Sequence, residues 1–153
     1  MAQLHKLGFE AELKCSADKY FGIFSYNVTQ MPKFVPSVIK SVEITEGDGT
    51  SIGSARLWKY NIEGPEMTAK DRLTAFNKEK RSMAYEFTEG EIMNYYKTLN
   101  CRLDVVPKQC ATGNGSFVKW SLEFDKVNDD IPDPTAYMDA LQSVTNELSS
   151  QLC

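Results

Sequence analysis

Histidine is almost absent from this chain, since His5 is the only one among its 153 residues. A zinc site would need cysteine or carboxylate ligands at characteristic spacings, and no such spacing is present. The four cysteines are scattered without a Cys-x-x-Cys pair, so we expect reduced thiols rather than a disulfide framework: Cys15, Cys101, Cys110 and Cys153. The sequence therefore predicts neither a metal nor a cofactor.

Positive charge and long apolar runs are scarce as well. The 17 lysines and arginines are outnumbered by 21 aspartates and glutamates, giving a formal net charge of −4. Nucleic acids and anionic membranes both require a basic face, so neither is expected as the main partner. No run approaches the ~20 apolar residues of a membrane span, and no apolar signal segment opens the chain. We expect one domain over residues 1–153, located in the cytoplasm, as a monomer or weak dimer.

The strongest positive pattern is the strict alternation between Phe117 and Lys126. One face of this segment carries Val118, Trp120, Leu122 and Phe124, and the opposite face carries polar residues. A period of two predicts a β-strand with one buried face.

A long amphipathic helix follows that strand. Asp133 is a favourable N-cap and Pro134 suits the first helical position. Apolar residues then recur at helical spacing at Tyr137, Leu141, Val144 and Leu148. The chain therefore closes with a strand and one long helix.

Most of the remaining chain also alternates with a period of two. Strands are predicted over 5–14, 38–46, 53–62, 66–77, 81–89, 95–107 and 115–126. Ser16 is a favourable N-cap for a short helix, and a second short helix should begin near Thr29 and end before Pro36. This order predicts an α+β fold in which a seven-stranded antiparallel sheet grips the C-terminal helix.

One glycine-rich loop runs from Glu46 to Gly53. A phosphate-binding loop would need Lys-Ser or Lys-Thr directly after its last glycine, followed by a helix. Ser54 and Ala55 follow here and begin a predicted strand. The loop is therefore interpreted as a hairpin turn rather than a nucleotide site.

Charged residues occupy three positions on apolar strand faces, at Arg56, Asp71 and Lys97. A buried carboxylate is costly unless it is paired, so Asp71 should form an ion pair with Arg56 or Lys97. Alternatively, its pKa is raised to a value suited to acid–base catalysis. His5 is in phase with the apolar residues of its strand, which suits either a place at the rim of the core or proton transfer. The candidate catalytic residues are therefore His5, Asp71 and Lys97.

Aromatic residues dominate the predicted inner face: Trp58, Tyr60, Tyr85, Phe87, Tyr95, Trp120, Phe124 and Tyr137. Such a stripe is usually plain core. A single helix, however, need not fill a concave seven-stranded sheet. An apolar cavity with a few hydroxyl groups would remain, which is typical of a small-molecule site.

Four segments together resemble the major latex protein group of the Bet v 1/PR-10 superfamily. They are Glu46-Gly47-Asp48-Gly49 with Gly53, Ala69-Lys70-Asp71-Arg72-Leu73, Tyr85-Glu86-Phe87-Thr88-Glu89-Gly90, and the segment 118–128 followed by Pro132. The resemblance covers essentially the whole chain. It implies the helix-grip (Bet v 1/START-like) fold, with two short helices in a V and a long C-terminal helix over a hydrophobic cavity.

The resemblance also implies a function. Proteins of this superfamily bind hydrophobic plant metabolites such as steroids, flavonoids, terpenoids, alkaloids or lipids, with roles in defence or specialised metabolism. Some relatives are cofactor-independent cyclases, isomerases or condensing enzymes, so an enzyme using the same cavity is the alternative. The residues expected to line a ligand between the sheet and the C-terminal helix are Tyr60, Asp71, Met83, Tyr85, Leu99, Cys101, Leu141, Val144 and Thr145.

Overall fold

The computed structural model describes residues 5–14, 16–61, 65–110 and 113–152. Its strands are β1 His5–Leu13, β2 Ile39–Glu46, β3 Ala55–Tyr60, β4 Met67–Asn77, β5 Ser82–Gly90, β6 Tyr96–Cys110 and β7 Gly113–Lys126. Its α-helices are α1 Ala17–Phe24, α2 Met31–Phe34 and α3 Thr135–Leu152. Short 3-10 helices cover Val28–Gln30 and Glu91–Asn94.

The strands of the described residues form one antiparallel sheet in the order β1-β7-β6-β5-β4-β3-β2. The predicted α+β helix-grip architecture and all seven predicted strands are confirmed, and no strand end differs from its predicted position by more than three residues. Parts of the prediction lie outside the described residues. These are the end of the strand 53–62, the turn at Gly64 and the turn at Thr112, together with Cys15 and Cys153.

Both predicted short helices are present. The Ser16 side chain accepts a hydrogen bond from the Lys19 backbone N–H at 3.2 Å and so caps α1, as predicted. The second helical segment runs from Val28 to Phe34 and ends before Pro36. It buries Met31, which directs this segment onto the core.

The start of α3 differs from the prediction. The helix begins at Thr135, and the Met138 backbone N–H donates to the Pro134 carbonyl at 3.1 Å. Asp133 does not serve as the expected N-cap. Its carboxylate instead pairs with Lys126 Nζ at 2.7 Å, because the end of β7 brings that ammonium group beside it.

The beginning of β6 corrects a second prediction. Tyr95 is 52% exposed and Lys97 is exposed, although both were assigned to the inner face. The pairing with β7 shifts register between Tyr96 and Thr98, where a β-bulge adds one residue to β6. The alternation therefore changes phase at the bulge: Tyr96 is buried in place of Tyr95 and Lys97, whereas Leu99 is buried as predicted.

A buried hydrogen-bonded chain joins α1, β7 and α3. The Tyr20 hydroxyl lies 2.8 Å from the Thr145 hydroxyl, and Trp120 Nε1 donates to Tyr20 at 3.1 Å. All three side chains are essentially inaccessible to solvent. These hydrogen bonds satisfy the buried polar atoms of the three side chains and link α3 to α1 and the sheet.

Candidate ligand-binding site

An apolar chamber lies between the sheet and α3, with a volume of about 60 Å³. Its walls are Phe24, Met31, Val38, Ile39, Trp58, Tyr60, Asp71, Tyr85, Phe87, Tyr137, Ala140, Leu141 and Val144. The chamber has room for only a few water molecules. It is far smaller than the roughly 300–1,000 Å³ that ligand pockets usually provide.

A larger outer cavity of about 280 Å³, which we call the mouth, lies beside the start of α3. It is lined by Tyr60, Met67, Ile92, Tyr95, Tyr96, Pro132, Asp133, Pro134, Thr135, Ala136 and Tyr137. Tyr60 and Tyr137 line the chamber as well, so the two cavities adjoin at these rings. Chamber and mouth together reach the lower end of the usual ligand-pocket range.

The ionic group in the chamber wall is a buried pair between β3 and β4. Arg56 Nε donates to Asp71 Oδ1 at 2.8 Å and Arg56 Nη2 donates to Oδ2 at 3.1 Å. Trp58 Nε1 donates to the same Oδ2 at 2.8 Å. Three donors therefore hold the Asp71 carboxylate, as the predicted ion pair with Arg56 requires. Lys97 is exposed on β6 and is not the partner.

The guanidinium of Arg56 is enclosed on its other sides. Its Nη1 donates to the Phe24 carbonyl at 3.2 Å, and its Cζ lies 4.7 Å from the Tyr85 ring centroid. Burial lowers the pKa of Arg56, but the attraction of Asp71 outweighs that effect and leaves the pKa raised. The Arg56 guanidinium therefore stays charged, and its hydrogen bonds are directed within the protein.

Three neutral groups stand beside this pair. The hydroxyls of Tyr85 and Tyr137 lie 3.5 Å apart. Burial raises the pKa of both tyrosines well above the usual value, and burial raises the pKa of the Cys101 thiol to about 12. All three groups therefore remain protonated at neutral pH. They can donate hydrogen bonds, but they cannot act as bases there.

The Tyr60 hydroxyl is a different case. It is buried and has no hydrogen-bond partner within the described part of the chain. Burial, followed by the nearby Glu91 carboxylate, raises the pKa of Tyr60 to about 12. A protonated donor without a partner therefore stands where the chamber meets the mouth.

Comparison with known proteins places this geometry in a family. Residues 2–153 match the model of the pathogenesis-related protein Bet v 1 family. The chain belongs to the Bet v 1 family. Over 148 residues it is 36% identical to major latex protein 146 of Papaver somniferum, covering 97% of this chain and 91% of that protein. It is 31% identical to MLP-like protein 43 of Arabidopsis thaliana, and that match covers 96% of this chain and 92% of that protein. Within the Bet v 1 family it is a major latex protein-like member.

Solved structures share this Bet v 1 architecture. The ginseng major latex-like protein 151 of Panax ginseng superposes with a TM-score of 0.88 at 28% identity, covering 97% of each chain. Norcoclaurine synthase of Thalictrum flavum, in complex with dopamine and hydroxybenzaldehyde, superposes with a TM-score of 0.77 at 20% identity. That match covers 98% of this chain and 87% of the synthase, and it shows a shared fold only.

Five of the nine residues predicted to line a ligand do line the chamber of this Bet v 1 protein: Tyr60, Asp71, Tyr85, Leu141 and Val144. The other four are buried in the core but do not line the chamber. Met83, Leu99 and Cys101 are buried on strands β5 and β6, and Thr145 is bonded to Tyr20. Strand alternation identifies the inward face but does not show which inward positions lie beside the void.

Two of the three candidate catalytic residues lie away from both cavities. His5 stacks on Phe124, with ring centroids 5.4 Å apart at one end of β1, and Lys97 is exposed at the β6 bulge. Asp71 alone reaches the chamber, where Arg56 and Trp58 occupy it.

Several chamber residues were not predicted. Tyr137, already placed on the predicted inner face, and Ala140 could have been found, since they precede Leu141 and Val144 respectively by four residues on the same helix. Phe24, Met31, Val38 and Ile39 come from the helical segments and the start of β2, where the sequence carries no signal for a cavity.

Two general properties of the described residues bear on partners. No helix among them is long and apolar enough to cross a membrane. In the same ranges, no group of three or more histidine, cysteine, aspartate or glutamate residues is arranged to hold a metal ion.

Proposed function

We propose that this Bet v 1 protein binds a small hydrophobic metabolite between the sheet and α3. The ligand would be a steroid, flavonoid, terpenoid, alkaloid or lipid, in a setting of defence or specialised metabolism. The observation that carries the proposal is the apolar chamber that adjoins a mouth of about 280 Å³. Apolar walls with a few placed polar groups are typical of small-molecule sites.

The volumes of the chamber and the mouth limit how such a ligand can bind. A compact ring system fits the mouth, whereas the chamber of about 60 Å³ admits only its leading edge. A larger ligand must displace the side chains of Tyr60 and Tyr137, which line both spaces. Burial of apolar ligand surface, at roughly 25 cal/mol per Å², supplies the free energy for that rearrangement.

The chemistry of the chamber favours binding over proton transfer. An acid–base cyclase, isomerase or condensing enzyme would need a free base close to the ligand. The Asp71 carboxylate already accepts three hydrogen bonds from Arg56 and Trp58. The neighbouring Tyr85 and Tyr137 hydroxyls hold their protons, because burial raises the pKa of both residues. We therefore propose a binding protein, with the enzyme as the alternative.

A dye titration tests the proposal. An environment-sensitive apolar dye should bind at a roughly one-to-one ratio and be displaced by steroid- or flavonoid-like compounds. Leu141→Trp should fill the chamber and weaken dye binding at least tenfold, while Gln142→Trp places the same ring on the exposed side of α3 and should change little. Equal dye affinity in the two folded variants would contradict the proposed location.

A separate experiment addresses the enzyme alternative. The protein would be incubated with reactive terpenoid and alkaloid intermediates, and products would be followed by mass spectrometry. Binding without conversion is expected. Conversion that is abolished by Tyr85→Phe or Tyr137→Phe would favour the enzyme. These two hydroxyls lie 3.5 Å apart in the chamber wall and could donate a proton to a bound substrate.

A further inference from the structure

The hydroxyl of Tyr60 stands out among the tyrosines around the two cavities. Tyr96 donates to the Pro132 carbonyl at 2.7 Å, and the hydroxyls of Tyr85 and Tyr137 lie 3.5 Å apart. Tyr60 is only 5% exposed, and its hydroxyl has no partner within the described residues. A buried donor without a partner is unfavourable in the unliganded protein, and a ligand acceptor would remove that cost.

Tyr60 lies at the boundary between the two cavities. Its side chain lines both the chamber and the mouth, so any molecule that extends from one into the other passes over it. The remaining chamber walls are apolar except for the Asp71 carboxylate and the hydroxyls of Tyr85 and Tyr137. The ligand is therefore recognised chiefly by shape, with one oriented polar contact at Tyr60.

The charges around the two cavities define what that contact accepts. None of the described residues that line them is lysine, arginine or histidine, whereas Asp71 and Asp133 line the chamber and the mouth. Each of these aspartates is already paired with a cation, Asp71 with Arg56 and Asp133 with Lys126. An anionic ligand would lose its hydration on entering these cavities, and Arg56 and Lys126 would not be free to pair with it.

We propose that Tyr60 is the specificity-determining residue of the site. Its hydroxyl donates a hydrogen bond to a neutral carbonyl oxygen on a ring-shaped ligand, and the site rejects carboxylates such as those of fatty acids. This inference rests on the proposed binding function and narrows it to neutral, carbonyl-bearing ring compounds.

Three naphthalene probes test the inference, because they share one ring system. 2-Acetylnaphthalene carries the carbonyl, 2-ethylnaphthalene replaces it by a methylene group, and 2-naphthoate carries a negative charge. Calorimetry or dye displacement should show the ketone binding about three- to tenfold more tightly than the hydrocarbon, as one net hydrogen bond allows. The carboxylate should bind more weakly than either at pH 7.

Tyr60→Phe should abolish the preference for the ketone and leave the affinity for 2-ethylnaphthalene unchanged. Tyr96→Phe is the matched control, since Tyr96 also lines the mouth but its hydroxyl already has a partner. This control should keep the preference. Thermal melting separates the two hydroxyls without any ligand. Tyr96→Phe should lower Tm by about 2–4 °C, whereas Tyr60→Phe should leave Tm unchanged or raise it.

Each possible result of these experiments either supports or contradicts the proposed role of Tyr60. A ketone preference that persists in Tyr60→Phe, a carboxylate that binds best, or a Tm loss in Tyr60→Phe equal to that in Tyr96→Phe would overturn the role of Tyr60. If none of the probes and no apolar dye binds the wild-type protein, the proposed function itself fails, and the inference fails with it. Binding of ketone and hydrocarbon with equal affinity would overturn only the role of Tyr60.

Discussion

Arg56 and Asp71 form a bidentate ion pair across β3 and β4, with side-chain exposures of 1% and 0%. The two residues are direct register partners, so the sheet itself sets their separation. Trp58, two residues along β3, donates to the same carboxylate. Asp71 forms part of the wall of the apolar chamber, and Arg56 holds its carboxylate in place there.

Asp71→Asn should lower the free energy of unfolding by about 3–5 kcal/mol, because it leaves the Arg56 charge buried and uncompensated. The matched control is Glu46→Gln, which breaks an exposed pair with Arg72 at the same distance of 2.8 Å. That change should cost no more than about 1 kcal/mol. Urea unfolding measures both. Equal losses in the two variants would show that burial does not give the Arg56–Asp71 pair its importance.

The protein should lose stability at alkaline pH. Burial raises the pKa of Cys101 from 9.0 to about 12 and that of Tyr60 from 10.0 to about 12. The folded state therefore holds protons that the unfolded state releases. The contribution of Cys101 is complete below about pH 9 and declines as the pH rises toward 12, by up to about 1.4 kcal/mol per pH unit.

Unfolding experiments between pH 7 and 11 check this expectation. Cys101→Ala should lower the free energy of unfolding at neutral pH, because it leaves a small cavity, and this loss should not depend on pH. It should also delay the alkaline decline until the tyrosines begin to ionise near pH 10. An identical pH dependence in variant and wild type would show that Cys101 does not cause the loss of stability above about pH 9.

Gly90 is predicted to tolerate no side chain. It has a φ of 122°, and a Cβ there would lie 2.3 Å from the Thr68 carbonyl oxygen on β4. Gly53 has a φ of 93°, but nothing lies within 4 Å of its Cβ position. Gly53→Ala should therefore cost only about 1–2 kcal/mol of backbone strain.

Gly90→Ala should cost more than about 3 kcal/mol, because overpacking against backbone must also move a strand. It should weaken dye binding too, since the segment after Gly90 carries Ile92 into the mouth. Denaturation and dye titration measure the two effects. A Gly90→Ala protein as stable as Gly53→Ala would show that β4 and β5 separate more easily than the structure implies.

The sequence predicts the architecture well because period-two alternation is strong in most strands. It also predicts an ion pair of Asp71 with Arg56 or Lys97, since these charges fall on apolar strand faces, and the structure shows the pair with Arg56. The assignment of Lys97 and Tyr95 fails because the bulge before Thr98 changes the phase of β6, and no glycine or proline marks it. Local pattern alone cannot show such a shift, which depends on pairing with β7.

The candidate site is less predictable than the fold. Met83 and Tyr85 share one face of β5, yet only Tyr85 borders the chamber. The difference depends on where α3 crosses the sheet, which is a property of the packed molecule. The unpartnered state of the Tyr60 hydroxyl is likewise a tertiary property, because it depends on the absence of acceptors from other elements.

Fluorine NMR gives the most direct test of binding in the chamber, because the chain has two tryptophans with different positions. Trp58 lines the chamber, whereas Trp120 is fully buried in the core and is bonded to Tyr20. Protein labelled with 5-fluorotryptophan should show two signals, which Trp58→Phe assigns. Titration with 2-acetylnaphthalene should shift the Trp58 signal in a saturable manner and leave the Trp120 signal nearly unmoved. Saturable binding that shifts neither signal, or the Trp120 signal alone, would contradict a ligand site between the sheet and α3.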